Sequence, residues 1–179
     1  MVLTILSDEI KYLNPEFLSK ILSFMISLLK KGNTRVQRTF YEYCITYSKS
    51  ELVFQKFFKI IRNQIEFIEK NSDPKDENLE DLNHNSFAKK QILSKILEKN
   101  DKVLVKVLKL LQLLTEGHNL PMQTYLSKQG NNRNSYDLVN ALVDLLTAYY
   151  CHTLCQGMYK QINNCLNTLI EFVQVNKKM

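Results

Sequence analysis

Apolar residues recur every three to four positions through most of this chain, and that period predicts a succession of helices. Phe17, Leu18, Ile21, Leu22, Met25, Leu28 and Leu29 share one face of a first strong helix. It is entered through Asn14-Pro15, an N-cap residue followed by proline at the first helical position. Lys30-Lys31-Gly32 closes it, with cations for the carboxyl end of the dipole and a glycine for a left-handed cap. Thr34 and Gln37 have the spacing of a capping box, which predicts a second helix carrying Val36, Phe40, Tyr43 and Cys44 inward. After Tyr47-Ser48-Lys49-Ser50, Leu52, Phe54, Phe57, Phe58, Ile61, Ile65 and Ile68 define a third.

The period then stops. Asn71 to Asn85 is polar, acidic and aperiodic, and at about 15 residues it exceeds an ordinary connection, so a mobile loop is expected over 71–86. A short helix is predicted over Phe87 to Leu97, and Asn100-Asp101 can cap the next, which runs to Thr115. Apolar residues from Val103 to Leu114 cover well over half of that helix, so it belongs between layers. Glu116-Gly117-His118-Asn119 ends it, and Leu120-Pro121 starts a short helix reaching Lys128. Beyond the loop Gln129 to Asn134, a helix from Ser135 presents Leu138, Val139, Leu142, Val143, Leu146 and Tyr149. The final helix presents Met158, Ile162, Cys165, Leu166, Leu169, Phe172 and Val173.

Seven to nine helices with short joins make an all-α protein. Consecutive helix hairpins of this kind stack as an irregular armadillo-like α-solenoid, with a compact helical bundle as the alternative. Four Gly and three Pro are too few for the turns of an all-β fold, and 179 residues suit one helical domain over 1–179.

Charge narrows the functional classes. The net +6 is carried by lysines scattered along helix faces, with only Arg35, Arg38 and Arg62 before the acidic segment and Arg133 after it. Arginine is the residue expected at bidentate phosphate or base contacts, so a solvated helical surface explains the charge better than nucleic acid. No segment reaches the ~18 apolar residues that cross a bilayer. The start Met1-Val2-Leu3-Thr4-Ile5-Leu6 runs into Asp8-Glu9 without the basic region or cleavage site of a signal peptide, so a cytosolic polypeptide is expected.

Candidate chemistry is sparse. Cys44, Cys151, Cys155 and Cys165 read as reduced, buried thiols. Cys151, His152 and Cys155 place three soft ligands within one turn but lack the second pair of a structural zinc site. His118 has no nucleophile in a recognisable arrangement near it. It and Asn119 read as groups that tie off carbonyls of one helix and amides of the next. Phe54, Phe57, Phe58, Phe67 and the pair Tyr149-Tyr150 follow the helical period of a core rather than a base-stacking platform. No phosphate loop, metalloprotease motif or calcium-binding loop is present in the sequence. The expectation is a protein without catalytic, cofactor-binding or metal-binding residues.

Two junctions stand out. Gly32-Asn33-Thr34, then Val36-Gln37 and Phe40-Tyr41 with Tyr43-Cys44, form the first. Leu111-Gln112-Leu113-Leu114, then Glu116-Gly117-His118-Asn119, Gln123, Tyr125-Leu126 and Gln129, form the second. With Gln55 to Lys59, Ser135 to Val139 and Leu169 to Gln174 in the same order, they resemble the homology-associated helical domain of inositol trisphosphate receptors and ryanodine receptors. The likeness spans most of residues 20–175. Its structural residues in this chain are Gly32, Asn33, Thr34, Gln37, Tyr41, Gln112, Glu116, Gly117, His118, Asn119, Gln123, Tyr125 and Gln129. Thr115 stands where the family commonly has Cys, and Thr124 where it has Asn. Tyr149 to Gly157 has no clear counterpart to the family's glycine-rich stretch.

The resemblance implies a cytosolic scaffold of an intracellular calcium-release channel, at the face of the endoplasmic reticulum or another calcium store. Its implied partners are other domains or subunits of a tetrameric channel. Its implied work is transmitting conformational change toward the pore, with no catalysis and no conduction of its own. The chain is expected to be a fragment of a larger channel or a stand-alone relative. The alternative function is a stand-alone armadillo or HEAT-type interaction adaptor. A nucleic-acid binder rests on net charge alone.

Overall fold

The computed structural model describes residues 2–9, 14–72, 102–151 and 159–174, and all the regular structure in them is helical. Eight α-helices follow in order: α1 (Val2–Glu9), α2 (Pro15–Leu28), α3 (Thr34–Thr46), α4 (Glu51–Ser72), α5 (102–115), α6 (Leu120–Ser127), α7 (Leu138–Cys151) and α8 (Tyr159–Val173). A single 3-10 turn, Ser48–Ser50, leads into α4. The all-α class expected from the period holds across the described residues. The acidic loop, the short helix over Phe87 to Leu97, the cap at Asn100-Asp101, and His152, Cys155 and Met158 lie outside them.

Helix α5 is the axis of the core, as its wide apolar surface requires. Leu104, Val107, Leu108, Leu110, Leu111, Leu113 and Leu114 are all buried, and Thr115 at its end is buried too. Neighbours fasten to it through polar groups. Lys106 Nζ donates to Ser19 Oγ (2.6 Å) and Ser19 O (3.1 Å) on α2, and Thr168 Oγ1 of α8 donates to Leu108 O (3.3 Å). Helix α4 packs on α7, and α7 on α8. The salt bridge Arg62–Asp144 (2.9 Å) edges the α4–α7 seam at the surface. Tyr43 Oη donates to Leu3 O (3.2 Å) and bonds Ser7 Oγ (3.1 Å), fastening α1 to α3.

Several periodic positions face water rather than the core. Phe17 and Leu28 of α2, Val143 of α7, and Leu166 and Val173 of α8 are exposed, and Tyr150 points out beside buried Tyr149. Each sits at the margin of its helix's apolar arc, where the period alone does not say how far the neighbours extend. Ala141, Leu145 and Ala148 instead complete the buried face of α7, and Thr168 that of α8. Helix α7 starts later than Ser135. Asp137 is its cap, Oδ1 accepting from Asn140 N at 2.9 Å, while Ser135 Oγ accepts from Gln129 N. Helix α4 continues to Ser72, one turn's edge past the Asn71 at which a loop was expected to begin.

Candidate functional site

The two junction motifs, far apart in sequence, meet in space. Between α2 and α3, Lys31 and Gly32 are both left-handed (φ 62° each), and Asn33 caps α3 by accepting from Val36 N at 3.3 Å. Between α5 and α6, Gly117 (φ 76°) and His118 (φ 61°) repeat the pair of left-handed residues before Asn119. Two consecutive left-handed residues reverse the chain within a few bonds, which turns one helix back against the next. Glu116 lies against Gly32, whose missing Cβ would stand 3.6 Å from the Glu116 Cδ.

Gln37 ties the two junctions together. Its Nε2 donates to Leu113 O (2.7 Å) in the last turn of α5 and to Glu116 O (2.9 Å) just past its end. Those carbonyls have no amide ahead of them in their own helix, so an outside donor is required once they are buried. The expected capping box therefore does not form. Asn33, rather than Thr34, is the cap, and Gln37 turns away from its own helix to close another. Asn119 Nδ2 donates to Leu114 O (2.9 Å), but its side chain does not cap α6. His118 is exposed, and among the described residues its side chain makes no hydrogen bond to either helix; only its backbone O accepts, from Leu120 N at 2.8 Å.

Gln123 repeats the device. From buried surroundings on α6, its Nε2 donates to Glu171 O (2.6 Å) and Gln174 O (3.0 Å), closing the end of α8. Gln129 is buried as well and organises the loop before α7. Its Nε2 donates to Tyr125 O (2.6 Å) and Tyr136 O (3.1 Å), and its Oε1 accepts from Tyr136 N (2.7 Å). Three of the flagged glutamines are thus internal clasps. Gln112 differs, being half-buried, with a side chain that accepts from Lys109 Nζ at 3.0 Å on its own helix.

Tyr125 marks a third meeting point. Its hydroxyl donates to Cys44 O (3.0 Å) at the end of α3, which also accepts from Ser50 Oγ (2.8 Å) and Asn131 Nδ2 (3.1 Å). Its ring packs edge-on against Tyr41 and Phe54, with centroids 5.9 and 5.4 Å away. Burial, then the neighbouring Cys44 thiol, push the Tyr125 phenol up to about 12. Burial raises the Cys44 thiol well above its ordinary value, so it stays protonated and unreactive at neutral pH.

Sequence reasoning missed Ser50, Glu51, Asn131 and Thr115. Glu51 accepts from Arg133 N (3.0 Å), Asn134 N (3.2 Å) and Asn134 Nδ2 (2.8 Å), pinning the loop 129–134. Thr115 Oγ1 donates back to Leu111 O and Gln112 O, both at 3.1 Å. A polar residue at an element end was the only available signal, and many solvated residues share it. Three of the four cysteines fall in described residues, with Cys44 and Cys165 buried and Cys151 exposed. No group of three or more metal-type ligands gathers among the described residues.

The geometry defines a class: a helical scaffold whose helix ends are closed by buried side-chain amides from other helices. Residues 98–178 match the family described as RyR and IP3R Homology associated. The matched span lies in the C-terminal part of the chain, where it takes in the Glu116–Asn119 junction, Gln123, Tyr125, Gln129 and α8. The first junction and Gln37 precede the matched span. No curated protein matches the chain. No described helix is long and apolar enough to cross a membrane.

Proposed function

We propose that this chain is a cytosolic coupling scaffold of an inositol trisphosphate receptor-like or ryanodine receptor-like calcium-release channel, passing conformational change toward a pore formed elsewhere. The family match over 98–178 carries this reading. The closure of α5 by Gln37 and of α8 by Gln123 supports it, because helices clasped at their ends move as bodies instead of fraying. Rotation would be taken up at the junctions 116–121 and 129–135. In this reading the thirteen motif residues act structurally, the helices 1–179 form one domain stacked as an irregular solenoid, and the partners are other domains or subunits of a tetrameric channel at a calcium-store membrane.

The test is purification of the tagged, full-length gene product from its own cells. A tetrameric membrane complex that releases calcium, with release impaired by Gln37→Ala while assembly persists, supports the proposal. Recovery solely in complexes that lack any channel polypeptide overturns it and favours a helical adaptor.

A further inference from the structure

An apolar cavity of about 270 Å³ opens between α1, α2 and α3. Met25, Leu29 and Phe40 are its buried floor, Val36 a half-buried wall, and the exposed Leu28 and Arg35 form its lip. The apolar surface does not stop there. Phe17, Phe24 and Leu28 lie seven and four residues apart on α2, one line along the helix roughly 16 Å long. They are 48%, 50% and 43% exposed. Scattered exposed apolar residues need no explanation, but two phenylalanines and a leucine in line with an apolar cavity form a continuous contact surface.

The charge beside it is one-sided. Lys30, Lys31, Arg35 and Arg38 fall within nine residues that contain no acid. Arg38 is satisfied by Glu42 at 2.8 Å, and on α2 Glu16 and Lys20 neutralise one another at 3.2 Å. Arg35, a residue of the cavity lining, has no acidic partner among the described residues. A guanidinium of fixed charge at the rim of an apolar pocket favours a partner that brings a carboxylate next to an apolar anchor. The described residues offer no strand edge, so an added strand has nothing to pair with, whereas a line of side chains at helical spacing suits a helix laid alongside.

We infer that the α2 face and its cavity dock an acidic amphipathic helix from a partner protein, with one apolar side chain in the cavity and a carboxylate on Arg35. This is independent of the channel reading. The probe is a fluorescein-labelled sixteen-residue helical peptide (about four turns) with leucines at three- and four-residue spacing and flanking glutamates. A second peptide has lysines in place of the glutamates. Anisotropy with the intact chain should show saturable binding of the acidic peptide and about tenfold weaker binding of the basic one. Arg35→Glu should reverse that preference. Phe24→Ser, at an exposed position that leaves the core alone, should weaken the acidic peptide about tenfold.

Melting curves of both variants unchanged from the parent would show that they fold. The inference is overturned by non-saturable binding, or by a peptide preference that Arg35→Glu leaves unaltered. It is equally overturned if phosphatidylserine vesicles bind while the peptide does not. Self-association in light scattering that Phe24→Ser abolishes would assign the face to a second copy instead.

Discussion

Gln37 Nε2 lies 2.7 Å from the carbonyl oxygen of Leu113, joining residues 76 positions apart and closing α5 from within α3. The bond is buried, so water cannot replace it. Gln37→Ala should cost about 2–3 kcal/mol, the expense of leaving the Leu113 and Glu116 carbonyls without their donor. Gln37→Glu should cost more, because an ionised carboxylate presents a second acceptor to two acceptors. Its deficit should shrink on acidification, where the protonated acid regains one donor. Urea denaturation of both variants across pH checks the order; equal losses at neutral pH would contradict it.

Gly117 has φ 76° and nothing within 4 Å of where a Cβ would stand. A substitution there meets backbone strain alone. Gly117→Val should lower stability by about 2 kcal/mol and Gly117→Asn by less, since Asn tolerates the left-handed region. Thermal denaturation separates them. Equal melting of the Val variant and the parent would remove the left-handed assignment.

Gln123→Ala removes both donors from the end of α8. The loss should be local, with faster hydrogen exchange in the last turn of α8 and little change in α2. Exchange measured by mass spectrometry on peptides covering residues 159–174 would show it, and uniform acceleration through the chain would instead mean global destabilisation.

Tyr125 gives the fold an alkaline limit. Its ordinary value of 10.0 is raised to about 12 in the folded chain, first by burial and then by the Cys44 thiol. The folded chain therefore holds a proton that the unfolded chain releases. This stabilisation is complete below pH 10 and is lost as pH climbs toward 12, at most ~1.4 kcal/mol per pH unit. Cys44, raised from 9.0, adds a loss of the same sign beginning one pH unit lower. Tyr125→Phe should flatten the alkaline branch and cost about 1 kcal/mol at neutral pH for the bond to Cys44 O. Denaturation profiles with tyrosinate absorbance as a second readout test both.

Much of this was legible in the residues. The cap at Asn14, with Oδ1 accepting from Phe17 N at 2.8 Å, followed from Asn-Pro before a helical period. The burial of α5 followed from apolar residues that cover well over half of its surface, and α6 from Leu120-Pro121. The Gly32 and Gly117 reversals also followed, because a cationic or polar helix end plus glycine has few other uses. Less accessible was the partner of each polar residue. Thr34 and Gln37 have capping-box spacing, yet Gln37 serves α5, since a local bond at an exposed helix start gains less than satisfying the buried Leu113 carbonyl and the part-buried Glu116 carbonyl. Nothing near Glu51 announces that it holds Arg133 and Asn134, 82 and 83 positions away.

The two junction motifs by themselves determined where helices stop and start, because caps and left-handed residues act within one turn of chain. Only the tertiary structure decided that those motifs face each other, that Gln37 and Gln123 close helices other than their own, and that Phe17, Phe24 and Leu28 remain outside. Helical period depends on neighbours three and four residues away, which the sequence contains. Which carbonyl an amide satisfies, and how far an apolar arc is covered, depend on chains brought together across some eighty positions, and that is settled by packing.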